Sequence, residues 1–284
     1  MALSAIDFKA TSLSKTRTVR ELAVEIPNAT RVFERLGIDY CCGGGKSLQD
    51  ACTQAQVSVD EVLRTLEQGA VPDKSAGEEH SDLNQVALKE LAEHIVAKHH
   101  AYVRQEVPRI QKLLAKVVAV HGKHHPELAV VQQHMGTVSA ELTSHMRKEE
   151  IVLFPYIKGL EEAAGAGRRV PRPPFGTIRN PVRMMELEHE AAGDVLEQIS
   201  KASSDYTPPA EACFSYKTLY AALKEFAEDL HQHVHLENNI LFPRAIALEE
   251  KSEFAAAAGD EKATRCSTEI AGSFPQESCC LPQK

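Results

Sequence analysis

The sequence predicts an all-α protein in which a small N-terminal helical domain precedes an up-down four-helix bundle. Three observations carry this. Four long segments beyond residue 82 each show an apolar stripe that advances in alternating steps of three and four. Those segments repeat in pairs, with 89 residues from His100 to His189 and 88 from His145 to His233. Upstream, helix-start and helix-stop residues crowd one short stretch.

The first domain spans residues 1–70. Thr18 with Glu21 and Ser58 with Glu61 have capping-box spacing, Asn28 and Ser47 can cap two further helices, and Gly37 and Gly69 can end them. Residues 71–82 are polar, interrupt any periodicity and read as a linker. The bundle follows over 83–248, with breaks expected near His121 to Pro126, across Gly159 to Pro181, and around Ser203 to Pro209. Residues 249–284 form a tail whose alanine-rich start extends the last helix; Cys266, Cys279 and Cys280 within it have no assigned role.

One histidine lies in each stripe. The first stripe runs Val96, His100, Val103, Val107, Ile110, Leu114, and the second Val131, Met135, Val138, Leu142, His145, Glu149, Val152, Tyr156. The third passes through Met185, His189 and Ala192, and the fourth through Leu230, His233, Glu237 and Ile240. Six polar groups therefore face the bundle interior. Residues four apart share a helix face, so the repeated motifs His145-x-x-x-Glu149 and His233-x-x-x-Glu237 each aim an imidazole and a carboxylate at one point. In a hairpin turning near residue 123, His100 and His145 meet at one level. His121 cannot join them easily, being 21 residues from His100, about 31 Å along a straight helix, and whether it binds metal stays open. His99, His231 and His235 fall off the stripes and read as supporting or surface residues.

A single histidine on an apolar stripe is usually a hydrogen-bonded core residue. Four at one level beside two carboxylates, each costly to bury unpaired, call for a cation instead. Six nitrogen and oxygen donors exceed what tetrahedral zinc uses, and carboxylates able to bridge suit a dinuclear centre of iron, with manganese a lesser fit.

Composition removes other classes. A net charge of −8 over 284 residues argues against a nucleic-acid surface. No apolar run is long enough to span a bilayer and no charged-then-apolar leader opens the chain, so a soluble cytoplasmic protein without a membrane partner is expected. Seven cysteines in such a chain suggest redox or metal chemistry rather than a disulfide framework. Gly43-Gly44-Gly45-Lys46-Ser47 is no phosphate loop, because Tyr40 stands where that motif needs glycine. Arg168, Arg169, Arg172, Arg179 and Arg183, around the proline-rich crossover, read as a solvated run.

Together, Asp39-Tyr40-Cys41-Cys42-Gly43-Gly44, His145-x-x-x-Glu149, Glu188-His189-Glu190 and His233-x-x-x-Glu237-Asn238-Asn239 with Leu241-Phe242-Pro243-Arg244 resemble the Repair of Iron Centers family (YtfE/ScdA type), with a hemerythrin-like bundle, over residues 15 to 248. The resemblance implies terminal iron ligation by His100, His145, His189 and His233, with Glu149 and Glu237 bridging two iron ions beside an oxo or hydroxo group. Which two histidines serve each iron stays open. It further implies repair of iron-sulfur clusters damaged by nitric oxide or peroxide, with damaged or apo iron-sulfur proteins as partners. Cys41 and Cys42 are then a redox or metal-relay pair, against the plainer reading of buried thiols before a turn. An enzyme reducing nitric oxide or oxygen, and a sensor of those gases, use the same ligands. Two domains on a short linker also allow a homodimer.

Overall fold

The computed structural model describes residues 13–26, 28–69, 83–168 and 173–252. Regular structure among them is helical, apart from one antiparallel bridge between Thr18 and Ser47.

The small domain packs α1 (Val19–Glu25), α2 (Ala29–Arg35), α3 (Leu48–Gln54) and α4 (Val59–Gly69) around Leu22, Phe33, Leu48, Val62 and Leu66. The Thr18 capping box forms: Glu21 N–H donates to Thr18 Oγ1 at 3.2 Å and Thr18 N–H donates to Glu21 Oε2 at 2.9 Å. Ser47 Oγ accepts from Asp50 N–H at 3.1 Å and starts α3. Asn28 makes no side-chain cap, contrary to expectation. Its backbone is left-handed, with φ at 64°, whereas a capping side chain needs an extended backbone to reach the first-turn N–H groups.

Each bundle helix is long, and three of the four widen into a π-turn at the same level. The first comprises α5 (Leu88–Ile95), π1 (Val96–His100) and α6 (Ala101–His121). The second comprises α7 (Glu127–Lys148), π2 (Glu149–Leu153) and α8 (Phe154–Gly165). The third is the uninterrupted α9 (Arg179–Ala202). The fourth comprises α10 (Phe214–His235) and π3 (Leu236–Leu241), with helix resuming over 242–252. One apolar core fills the bundle on the α6–α7 turn side of the π-turns, around Ile110, Met135, Leu196 and Phe226; a second lies beyond them, around Leu91, Phe154, Ile157 and Phe242.

The structure corrects two details of the periodicity. A π-turn inserts one residue into the helical ladder, so the inward face slips by one position. Hence Val152, expected to point inward, is exposed, and Leu153 and Phe154 are buried in its place. Helix also continues through Gly159 to Gly165, where a break was expected, because Ile157, Leu160 and Ala163 keep that face packed and outweigh the low helix propensity of glycine.

The linker over 71–82, Arg169, Arg172 and the tail from residue 253, with Cys266, Cys279 and Cys280, lie outside the described residues. Glu249 is described and is buried. It accepts from Tyr156 Oη at 2.6 Å, from Thr177 Oγ1 at 2.5 Å and from the Ile178 N–H at 3.0 Å, at the start of α9. Among the described residues no helix is long and apolar enough to cross a membrane.

Candidate metal centre

The six inward polar groups expected from the stripes meet. His100 ends π1, His145 closes the last turn of α7, Glu149 opens π2, His189 sits mid-way along α9, and His233 and Glu237 flank the start of π3. All six are buried, both glutamates completely. They form two overlapping quartets, His100–Glu149–His233–Glu237 and His145–Glu149–His189–Glu237, each with its donor atoms within 4.8 Å of one another. Both carboxylates belong to both quartets. The histidines divide across the bundle, His100 with His233 and His145 with His189.

A cause for the π-turns can be read from the chain. Pro155 and Pro243 follow Phe154 and Phe242 just beyond π2 and π3. A proline ring inside a continuing helix clashes with the carbonyl four residues back, and widening the preceding turn relieves that clash. The repeated Leu-Phe-Pro was therefore a signal for the second and third π-turns. π1 has no such proline.

The ring orientations suit metal ligation. His100 Nδ1 lies 2.6 Å from Glu150 Oε1, which also accepts from Arg104; His145 Nδ1 lies 2.9 Å from Glu188 Oε2, whose other oxygen accepts from Lys148. His189 Nδ1 lies 2.9 Å from Asn238 Oδ1. With their Nδ1 protons held by these oxygens, the three rings turn Nε2 toward the centre, as ligating imidazoles do. Phe154 stacks on His100, Phe242 on His189 and His99 on His233, with ring centroids at 5.8, 6.2 and 5.7 Å, so aromatic rings wall the centre. Glu150, Glu188 and Asn238 had no assigned role from periodicity; each sits next to a ligand in sequence, and that adjacency was the available signal.

Without a cation the charges are poorly satisfied. Glu149 Oε1 and Oε2 and Glu237 Oε2 are buried with no hydrogen-bond partner. His145 and His100 Nε2 approach Glu149 Oε2 at 3.3 and 3.4 Å, yet without the alignment of a hydrogen bond. Burial works against charge on His145, but the Glu149 carboxylate overrides it and raises the imidazole to about 9. His100 is raised as well, against its burial, by Glu149 and Glu237. Burial would raise Glu237, but His233 and His189 bring its carboxyl well below the usual range. Burial and the Glu237 charge would likewise raise Glu149, and His145 with His100 carries it below. His145 Nε2 lies 2.9 Å from His189 Nε2, so a proton on His145 occupies the space between two donors that both aim at it. The donor set, its orphaned carboxylate oxygens and its spacing fit two divalent cations.

The vicinal thiols lie beside this centre. Asp39 Oδ1 accepts from the Cys41 and Cys42 N–H groups at 3.1 and 2.9 Å, and the two sulfurs are 3.8 Å apart. Cys41 packs into the bundle core, whereas Cys42 is partly exposed at a cleft of about 920 Å³ that Glu190, Asp194 and Arg183 also line. The neighbouring Cys42 thiol and burial together push the Cys41 thiol well above its ordinary range. Asp39, Cys41 and Cys42 offer three further donor atoms within 4.8 Å of one another. At Gly44 a Cβ would fall 2.7 Å from Asn239 Oδ1 and 3.0 Å from the Tyr40 carbonyl, so glycine is what lets the loop lie against π3. His121 stands at the far end of the bundle, 3.2 Å from Cys213 Sγ, apart from the centre as its spacing predicted. His99 and His235, placed off the stripes, are nonetheless buried: His99 pairs with Asp229 and His235 with Asn239.

Comparison with known proteins agrees with both halves of the chain. Residues 15–70 match the ScdA_N family, described as a domain of unknown function, and residues 91–245 match the hemerythrin HHE cation-binding domain. A probable iron-sulfur cluster repair protein of Haemophilus influenzae is 36% identical over 226 residues, covering 80% of this chain and 95% of the relative. The iron-sulfur cluster repair protein YtfE of Edwardsiella ictaluri is 38% identical over 233 residues, covering 82% and 97%. That of Escherichia coli O81 is 35% identical over 231 residues, covering 80% and 95%.

Proposed function

The chain belongs to the iron-sulfur cluster repair proteins with a hemerythrin HHE cation-binding domain, and from that premise we propose that it repairs damaged clusters by donating iron held at the bundle centre. The observation that carries this is the sharing of Glu149 and Glu237 by both buried quartets. Two iron ions would occupy them, one with His100 and His233, the other with His145 and His189, and the two carboxylates would bridge.

Iron here is the cargo. Imidazole and carboxylate hold it less firmly than thiolates would, and each glutamate can move from bridging to one-sided binding and so loosen one ion. Glu150, Glu188 and Asn238 keep the rings aimed while this happens. Cys41 and Cys42 would then be the first soft ligands met on the way out, at the cleft where an iron-sulfur client could dock. Nitric oxide and oxygen are small ligands of the same centre on this reading, and a homodimer is tested by the mass of the protein in solution.

The experiment is the double variant Cys41→Ser with Cys42→Ser, purified without oxygen. Iron per chain should stay at the parent's value while transfer to an apo iron-sulfur enzyme is lost. Unchanged transfer would remove the relay role of the thiols and leave direct donation from the bundle.

A further inference from the structure

One side chain joins the thiol loop to the candidate centre. Asn238, buried on π3, donates from Nδ2 to the Cys41 carbonyl at 3.1 Å and faces His189 Nδ1 with Oδ1 at 2.9 Å. The two ends of an amide are not interchangeable here. A backbone carbonyl can only accept, so the atom facing Cys41 must be the NH2 group. The carbonyl end then faces His189, and it can only accept, which places a proton on His189 Nδ1 and turns Nε2 to the centre, 3.1 Å from Glu237 Oε2 and 2.9 Å from His145 Nε2. We propose that Asn238 is a positioning residue through which docking of the Cys41–Cys42 loop fixes the tautomer of His189.

The coupling must run both ways. With the loop docked, Asn238 is held in the orientation that prepares Nε2 of His189; with the loop lifted, the amide is free to turn over and offer NH2, which favours the other tautomer. Metal on His189 Nε2 in turn keeps the proton on Nδ1 and so favours the docked loop. Asn239 holds the same loop without touching His189: its Nδ2 donates to the Tyr40 carbonyl at 2.8 Å and its Oδ1 accepts from Arg20 Nε at 2.8 Å. It therefore provides a control.

This inference rests on His189 being a metal ligand, and the test separates the two. In the parent, Asn238→Asp, Asn238→Ala and Asn239→Ala, one would measure ferrous iron affinity without oxygen, and, by mass spectrometry, the alkylation rate of the peptide bearing Cys41 and Cys42 with and without iron. Nitrogen spectra of the metal-free proteins would report the His189 tautomer. Aspartate still accepts from His189 but cannot donate to Cys41. It should keep the Nδ1–H tautomer and hold iron close to the parent, while alkylation rises about fivefold, as expected for a lost hydrogen bond, and no longer slows on adding iron. Alanine at 238 should lose both, with iron affinity falling about 10- to 100-fold at one ion. Asn239→Ala should loosen the loop yet keep alkylation responsive to iron. If iron still protects the thiols of Asn238→Asp and of Asn238→Ala as it does in the parent, Asn238 is not the link. If the parent binds no iron at the bundle, the ligand assignment fails instead, and the tautomer spectra still report whether Asn238 orients His189.

Discussion

Removing a shared ligand and removing a private one should give different stoichiometries. Glu149 and Glu237 lie in both quartets, whereas His145 lies in one. Glu149→Ala should therefore weaken both ions, and His145→Ala only the ion it shares with His189. At a free iron concentration of about 100 times Kd, each bound ion stabilises the fold by about 2.7 kcal/mol. For a domain of this size, that is about 5–11 °C in Tm per ion. Calorimetry without oxygen, each variant against its own metal-free form so that packing changes cancel, should then show the parent rising by two such increments. His145→Ala should rise by about one, and Glu149→Ala by close to none. Iron per chain should read two, one and near zero. A Glu149→Ala protein that keeps one tight ion, or a His145→Ala protein that loses both, would refute the shared-carboxylate arrangement.

Two further outcomes follow from neighbouring contacts. Glu188→Gln weakens the acceptor that holds His145 Nδ1–H, so affinity for the ion on the His145 side should fall about 10-fold or more while the His100 side is retained, as read by a two-phase iron titration. Glu249→Ala strips buried partners from Tyr156, Thr177 and the Ile178 N–H; unfolding by urea should show a loss of about 3 kcal/mol with iron per chain unchanged.

How much the sequence disclosed depended on range. His145 and Glu149, or His233 and Glu237, are separated by one helical turn, so simple periodicity places each pair on a face, and two glutamates on apolar stripes already called for positively charged company. The level at which His100 and His145 meet follows from counting outward from the turn. The pairing of His100 with His233 does not, because it depends on which bundle neighbours touch. The register beyond Glu149 was misjudged because a strict α-helical count takes no account of a π-turn, and this is why Val152 faces solvent. Asn28 was misjudged because residue type indicates a cap but backbone conformation decides it. Glu150, Glu188 and Asn238 act across helices, and a one-dimensional pattern carries no trace of such contacts beyond their adjacency to a ligand.

The π-turn in the fourth helix has a consequence for how the two domains work together. Three successive residues of π3 face three different partners: Glu237 turns into the centre, Asn238 bridges His189 and the Cys41 carbonyl, and Asn239 holds the Tyr40 carbonyl, His235 and Arg20. Because these contacts share one short stretch of backbone, a movement of the Glu237 carboxylate that shifts π3 would also be felt at the thiol loop. The loop in turn has little slack, since Asn239 Oδ1 would meet a Cβ at Gly44 and Asp39 Oδ2 would meet one at Gly43, 2.8 Å away. If iron donation proceeds as proposed, release of an ion should be accompanied by exposure of Cys41, and following thiol alkylation while iron is withdrawn by a chelator would check it: release with no change in alkylation would refute the coupling.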